Sequence, residues 1–248
     1  MSHVARVLVV GAAGKMGRAV QDAAVGREDV KISGAVDQGD DLGAALAACD
    51  VYIDFSTPAA TVAAARAAIA AKRAAIIGTT GLGTDAEPIF AELAKVAPVV
   101  VAANFSLGVN LMLGLVRQAA RALGPTWDAE VVETHHKAKR DAPSGTALAI
   151  ARSIAAGHGA DYDAVKRHTR DGNVGPRPRG EIGVATLRGG DVVGEHVAYF
   201  FGEHERIEIA HRATSRGIFA TGALVAAAWA VGKPPGRYTM LDVLGLPA

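Results

Sequence analysis

Val4-Ala5-Arg6-Val7-Leu8-Val9-Val10 runs straight into Gly11-Ala12-Ala13-Gly14-Lys15-Met16-Gly17. The first half is a β-branched apolar run, suited to a strand buried on both faces. Lys15 to Ala24 then reads as a helix. Between them, glycines permit a tight turn, close approach of the backbone to a pyrophosphate, and close packing of helix on strand. The N-terminus of the helix offers free N–H groups and a partial positive charge to phosphates. The spacing is G-x-x-G-x-x-G, one residue off the commonest dinucleotide fingerprint. Its position between a strand and a helix is what gives it weight.

Outward from that turn the pattern repeats. Val30 to Val36 is a second strand, and Asp37 at its end lies twenty residues after Gly17. An acid there can accept hydrogen bonds from the adenosine ribose hydroxyls. Val51 to Phe55 is a third strand, followed by Ser56-Thr57-Pro58, a cap and a first-turn proline for a helix from Ala59 to Lys72. Ala74 to Ile77 and Pro98 to Val101 complete the strands, with a helix near Asp85 to Val96 between them. Strands separated by helices of this length mean parallel βαβ units and a doubly wound, Rossmann-type sheet. Two further loops leave the carboxyl ends of its strands, Gly78-Thr79-Thr80 and Ala102-Ala103-Asn104-Phe105. Small residues and an amide there suit a nicotinamide ribose and carboxamide.

The character changes after residue 103. A long helix (Leu107 to Leu123), a strand (Glu130 to Thr134) and a helix (Pro143 to Ala156) precede a loop from His158 to Gly180 rich in glycine, arginine and proline. Strand-like runs follow at Ile182 to Arg188, Val192 to Phe201 and Arg206 to Arg212. Gly189-Gly190-Asp191 and Gly202-Glu203 are hairpin-type turn signals. The expectation is an α+β domain over 104–215 with a mixed, largely antiparallel sheet and helices on one face. A final apolar helix runs from about Ser215 to Val231.

The chain has 248 residues, 50% hydrophobic and 21% charged, with a formal net charge of +1. That is a globular composition without the basic blocks of a nucleic-acid or membrane-surface protein. No apolar run reaches the length needed to span a bilayer, and the start at Met1-Ser2-His3 has no signal-peptide pattern. The single cysteine, Cys49, excludes an internal disulfide and any cysteine-rich zinc site. His196, His204 and His211 are scattered over different strands, so no metal site is expected. A cytoplasmic protein fits these features.

The densest chemistry lies at Glu130-Val131-Val132-Glu133-Thr134-His135-His136-Lys137-Ala138-Lys139-Arg140-Asp141-Ala142-Pro143-Ser144-Gly145-Thr146-Ala147. Adjacent strand residues point to opposite faces, so His135 and His136 diverge unless the strand ends between them. Either Ser144 or Thr146 can cap the helix that follows. The N–H groups near Gly145 and Thr146 make an anion pocket. A lysine, a histidine and a helix N-terminus together suit a carboxylate, or two of them.

This stretch resembles the signature E-[IV]-x-E-x-H-x-x-x-K-x-D-x-P-S-G-T-A of the 4-hydroxy-tetrahydrodipicolinate (dihydrodipicolinate) reductase family at every fixed position. The resemblance extends to Gly11–Met16, Ile53–Phe55, Gly78–Gly81, Ala102–Ser106, Gly190–His196 and Thr214–Arg216. It implies a reductase of the diaminopimelate route to lysine, carrying hydride from NAD(P)H to a cyclic dicarboxylate with loss of water. It implies His135 as acid/base residue and Lys139 as proton donor. His136 and the Gly145 and Thr146 backbone would hold substrate. Gly11, Ala12, Ala13, Gly14, Lys15, Met16, Asp37, Gly78, Thr79, Thr80, Ala102, Ala103, Asn104 and Phe105 would hold cofactor. It also implies a homotetramer, and a C-terminal segment (216–248) that completes the dinucleotide domain of residues 1–103. Members that use NADPH well often carry an arginine next to the acid; here the pair is Asp37-Gln38. A carboxylate repels a 2′-phosphate and Gln38 supplies no charge, so NADH is the expected cofactor, with NADPH possible.

Overall fold

The structure, a computed structural model, describes residues 3–247. The start at Met1-Ser2 and the last residue of the C-terminal segment, Ala248, lie outside the described residues. In chain order the first elements are β1 (Ala5–Val10), α1 (Lys15–Ala24), β2 (Val30–Val36), α2 (Leu42–Ala47), β3 (Val51–Asp54), α3 (Pro58–Ala71), β4 (Ala74–Ile77), α4 (Ala86–Ala94) and β5 (Pro98–Val101). They are followed by α5 (Leu107–Leu123), β6 (Asp128–His135), α6 (Gly145–His158), α7 (Tyr162–Val165), β7 (Lys166–Arg167), β8 (Ile182–Arg188), β9 (Gly194–Phe201) and β10 (Arg206–Ala213). Last come α8 (Gly217–Ala230), β11 (Gly236–Tyr238) and α9 (Met240–Leu244). The chain forms two compact units, one up to Leu107 with Gly217–Pro247, the other Gly108–Arg216.

In the first unit the sheet order is β11-β5-β4-β3-β1-β2, with every pairing parallel. Successive strand residues alternate between two buried layers. Val7, Val9, Ile53, Ile76 and Val100 pack with α8, while Leu8, Val10, Tyr52, Ile77 and Val99 pack with α3 and α4. That two-sided burial is why these strands read as unbroken apolar runs. Helix α8 is apolar on all sides because it is buried, with Ala220, Ala223, Leu224, Ala226, Ala227 and Ala230 shielded from solvent. The strand order reverses between β1 and β3, and such a reversal opens a crevice at the carboxyl ends of the strands. Sequence reading finds neither α2 nor the C-terminal pair β11 and α9. These have three to six residues each, too few for a hydrophobic period to show. β11 exists by tertiary pairing with β5, and α9 by a capping box of Thr239 and Asp242.

The second unit has the order β10-β9-β6-β8-β7. Its sheet is mixed. β6–β8 and β7–β8 are parallel, β6–β9 and β9–β10 antiparallel. Gly202-Glu203 does turn a hairpin, between β9 and β10. Gly189-Gly190-Asp191 does not, because β6 lies between β8 and β9, and the segment crosses the end of β6 instead. Glycines mark the tight path in both places, and only strand pairing tells the two apart. One face of the sheet packs Val131, Val184, Ala198 and Phe200 against Met112, Ile150 and Ile154 of the helices. The loop before β8 is fastened by charge. Arg170 bonds Glu130 and Glu181 at 2.7 and 2.5 Å, Arg167 reaches Glu181 at 2.9 Å, and Arg177 bonds Asp128 at 2.5 Å and Glu130 at 3.1 Å.

Candidate active site

In the first unit the turn after β1 is built by backbone. Gly11 has φ +76°, where a side chain would be strained. The N–H groups of Gly11 and Ala12 donate to the Val36 carbonyl at 2.9 and 3.3 Å, and Gly14 N–H donates to the Gly11 carbonyl at 3.1 Å. A Cβ on Gly17 would lie 2.2 Å from the Gly11 oxygen and 2.7 Å from Ala12 Cα, so the third glycine is needed for the helix to close on the turn. Gly14 is the N-cap of α1 and offers no side-chain acceptor, leaving first-turn N–H groups for an anion. Asp37 accepts from Ala13 N–H at 2.9 Å, and its own N–H donates to Asp40 at 2.8 Å.

A cavity of about 660 Å³ opens here, lined in part by Gly11, Gly14, Asp37, Gln38, Asp40 and Ser56. Glycines and a helix N-terminus at one end and carboxylates at the other fit a pyrophosphate and a ribose diol. Of the residues expected to hold cofactor, the cavity takes in Gly11, Gly14 and Asp37. Gly78–Thr80 and Ala102–Phe105 do not line it. Within those two loops, Thr79 is turned inward, its hydroxyl donating to Asp54 at 3.3 Å, and Phe105 is buried edge-on against Phe55 at 5.7 Å. Thr80 and Ala103 are exposed. Asp54 is fully buried and also accepts from Ser56 N–H at 2.8 Å and its hydroxyl at 2.5 Å. It joins the third strand's loop to the fourth's.

In the second unit β6 ends at His135, and His136 is the first residue past it. The two imidazoles are therefore not forced to opposite sheet faces. Strand alternation puts Glu133 and His135 on the same, buried face. Glu133 has no exposed surface, yet both its oxygens are used. Oε2 accepts from His135 Nδ1 at 2.5 Å and Arg188 Nη1 at 2.8 Å. Oε1 accepts from Ser144 N–H at 2.9 Å, Arg188 Nη2 at 2.9 Å and the Thr186 hydroxyl at 3.2 Å. Burial pushes this carboxyl up, but Arg188, His135 and the Ser144 N–H together hold it below the usual glutamate value.

Ser144 is the N-cap of α6, its hydroxyl accepting from Ala147 N–H at 3.1 Å. The same hydroxyl meets His196 Nε2 at 3.2 Å, and the His196 ring stands edge-on to His135 at 5.2 Å. Burial, then the neighbouring His135, push His196 down to about 4. His196 is therefore neutral. Lys139 donates to Asp141 at 2.8 Å, and Arg188 also donates to the Asp141 carbonyl at 2.7 Å. Gly145 opens α6 with nothing within 4 Å of a would-be Cβ. The structure thus gathers His135, Lys139, Gly145 and Thr146 around one strand end and one helix start. Sequence reading gave no role to Glu133, Arg188, Thr186 or His196. Glu133 stands two residues before His135, a spacing that places both on one strand face. The other three arrive through β6–β8 and β6–β9 register (His135↔Arg188, Glu133↔Thr186, Glu133↔His196), which no local pattern announces. Among the described residues no group of three or more His, Cys, Asp or Glu side chains stands together as a metal site, and no helix is long and apolar enough to cross a membrane.

The chain matches the family described as dihydrodipicolinate reductase, N-terminus, over residues 5–105, and dihydrodipicolinate reductase, C-terminus, over residues 108–244. A 4-hydroxy-tetrahydrodipicolinate reductase of Anaeromyxobacter dehalogenans is 49% identical, covering 97% of this chain and 98% of the relative. That of Caulobacter vibrioides is 46% identical over 99% of both. A dipicolinate-bound dihydrodipicolinate reductase from Paenisporosarcina sp. TG-14 has the same fold, with a TM-score of 0.81 at 22% identity over 97% of this chain and 99% of that one. With both family halves matched along nearly its whole length, the chain belongs to the dihydrodipicolinate reductase family.

Proposed function

We propose that this chain is a reductase converting 4-hydroxy-tetrahydrodipicolinate to tetrahydrodipicolinate, with loss of the hydroxyl as water. The reduced nicotinamide, when bound, supplies the hydride. As hydride adds to the conjugated ring system, negative charge builds on the substrate and a proton must be delivered. Lys139 is the proton donor, and its ammonium also stabilises that charge. His135 is the acid/base residue, using the ring nitrogen that Glu133 leaves free. His136 and the N–H groups of Gly145 and Thr146 hold a substrate carboxylate. The glycine turn, Asp37 and the loops at Gly78–Thr80 and Ala102–Phe105 hold the cofactor. Asp37 and Asp40 line the cavity with Gln38 and no arginine among these three, which favours a ribose diol over a 2′-phosphate and NADH over NADPH.

One observation carries this reading. Glu133 binds both the His135 ring and the Ser144 N–H at the start of α6, so the acid/base group and the anion pocket share one anchor. The outer face of the second unit's sheet carries Leu187 and Phe201, both exposed. Tyr199 is stacked on Phe201 at 5.6 Å. An apolar strip of this kind supports assembly into a homotetramer. A cytoplasmic place suits a biosynthetic step of this type. The test is NADH consumption with the unstable substrate generated in place by a synthase from pyruvate and aspartate semialdehyde, repeated with NADPH. Turnover that requires the synthase is expected, faster with NADH. Protein that binds NADH but consumes none would overturn the reading.

A further inference from the structure

We propose that Glu133 and Arg188 are positioning residues that fix which nitrogen of His135 exchanges protons. This rests on the role given to His135 above. The carboxylate of Glu133 meets Nδ1 at 2.5 Å. An ionised carboxylate only accepts, so Nδ1 carries a proton and the neutral ring keeps Nε2 bare. Nε2 faces Gly194, where a Cβ would lie 3.0 Å away. A side chain at that position would crowd the atom, and glycine supplies none. Arg188 holds both oxygens of Glu133, at 2.8 and 2.9 Å, so the carboxylate cannot turn away from the ring. The same guanidinium donates to the carbonyl of Asp141, whose side chain holds Lys139. One arginine therefore links the two proposed proton-handling groups, through the carboxylate of Glu133 on one side and the main-chain carbonyl of Asp141 on the other. Buried ring orientation of this kind acts on rate and leaves cofactor affinity alone.

Glu133→Gln tests this sharply. Ser144 N–H and Arg188 Nη2 are obligate donors to one oxygen, so the amide carbonyl must face them. The amide NH2 then faces His135 Nδ1 and Arg188 Nη1, so Nδ1 accepts, the ring proton moves to Nε2, and Arg188 Nη1 loses its bond to this side chain. Nitrogen-15 NMR of the full-length protein, with the His135 signals assigned by their loss in His135→Gln, reads the tautomer directly. The expected wild-type ring, when neutral, is protonated at Nδ1. In Glu133→Gln the proton shifts to Nε2, kcat falls by about 100-fold or more, and KM for NADH changes by less than about threefold. The Glu133→Gln/His135→Gln pair falls little further than His135→Gln alone, because the residues act as a unit. A wild-type ring protonated at Nε2 overturns the proposal. So does a Glu133→Gln protein with unchanged tautomer and kcat. If Glu133→Gln fails to fold, the wild-type spectrum alone decides. A His135→Gln protein with normal kcat would instead overturn the catalytic reading of His135, while the tautomer result would stand separately.

Discussion

Two turns in this molecule do related work by opposite means. After β1, a strand passes into a helix through a turn whose proposed ligand-binding groups are main-chain N–H donors, and whose side chains are absent or small. After β6, a strand passes into a helix through a turn crowded with ionisable side chains, held from behind by a buried carboxylate. The first needs empty space; the second needs fixed orientation. The difference teaches that glycine means separate things in the two places. At Gly17 a Cβ meets backbone at 2.2 Å, whereas at Gly145 it meets nothing within 4 Å. One glycine serves packing and the other leaves room for whatever approaches the helix.

The contrast breaks first at the side chains. His135→Gln and Lys139→Ala are each expected to lower kcat by roughly 10²- to 10⁴-fold, with KM for NADH little changed; steady-state kinetics with both substrates varied would check this. If orientation rules the second turn, that turn is also sensitive to acid. His196 is buried neutral, with a folded value of about 4 against an ordinary 6.5. As pH falls from 6.5 towards 4, the unfolded chain takes up a proton that the folded one refuses, so stability drops across that window. The loss is on the order of a few kcal/mol for full burial. Glu133, held low, contributes stability above its ordinary value near 4.5 and loses it as pH falls through its lower folded value. Urea unfolding at pH 7.5, 5.5 and 4.5 would show the slope, and His196→Gln should flatten its upper part.

If space rules the first turn, Gly17→Ala is expected to destabilise by about 1–3 kcal/mol and to raise KM for NADH. Gly145→Ala should leave stability within about 0.5 kcal/mol while raising KM for the dicarboxylate. Equal losses of stability in both variants would dissolve the distinction. The smallest effect is at the carboxylate end of the first unit's cavity. Gln38→Arg should shift the NADPH-to-NADH ratio of kcat/KM about tenfold towards NADPH, equivalent to roughly 1.4 kcal/mol.

The two turns also differed in how far the amino-acid sequence exposed them. The dinucleotide half was readable because its signals are local. Apolar runs, helix lengths and a glycine spacing repeat along the chain, and the parallel sheet follows from them. β11 escaped because three residues after Pro234-Pro235 carry no period and gain strand structure only from β5. In the second half the signature residues were equally plain, and their common strand end followed from the break after His135. What holds them was hidden. Arg188 is fifty-three residues from His135 in sequence and its direct partner in register. The crossing at Gly189–Asp191 looked like a hairpin because a glycine turn looks alike whichever strand comes next. Asp54 was visible only as part of a strand, although its buried oxygen ties Ser56 to Thr79.

The arginine-rich loop before β8 has one more consequence. Arg167, Arg170 and Arg177 are each engaged by carboxylates of Asp128, Glu130 or Glu181. Trypsin cuts after arginine except where proline follows, so Arg167 and Arg170 head cleavable bonds while Arg177, before Pro178, does not; a protease also needs a segment of backbone to come loose before it can bind. Pairing that is partly open to solvent weakens with salt. The fastening of this loop is therefore also its armour, and raising ionic strength should turn a resistant segment into the first place the chain is nicked.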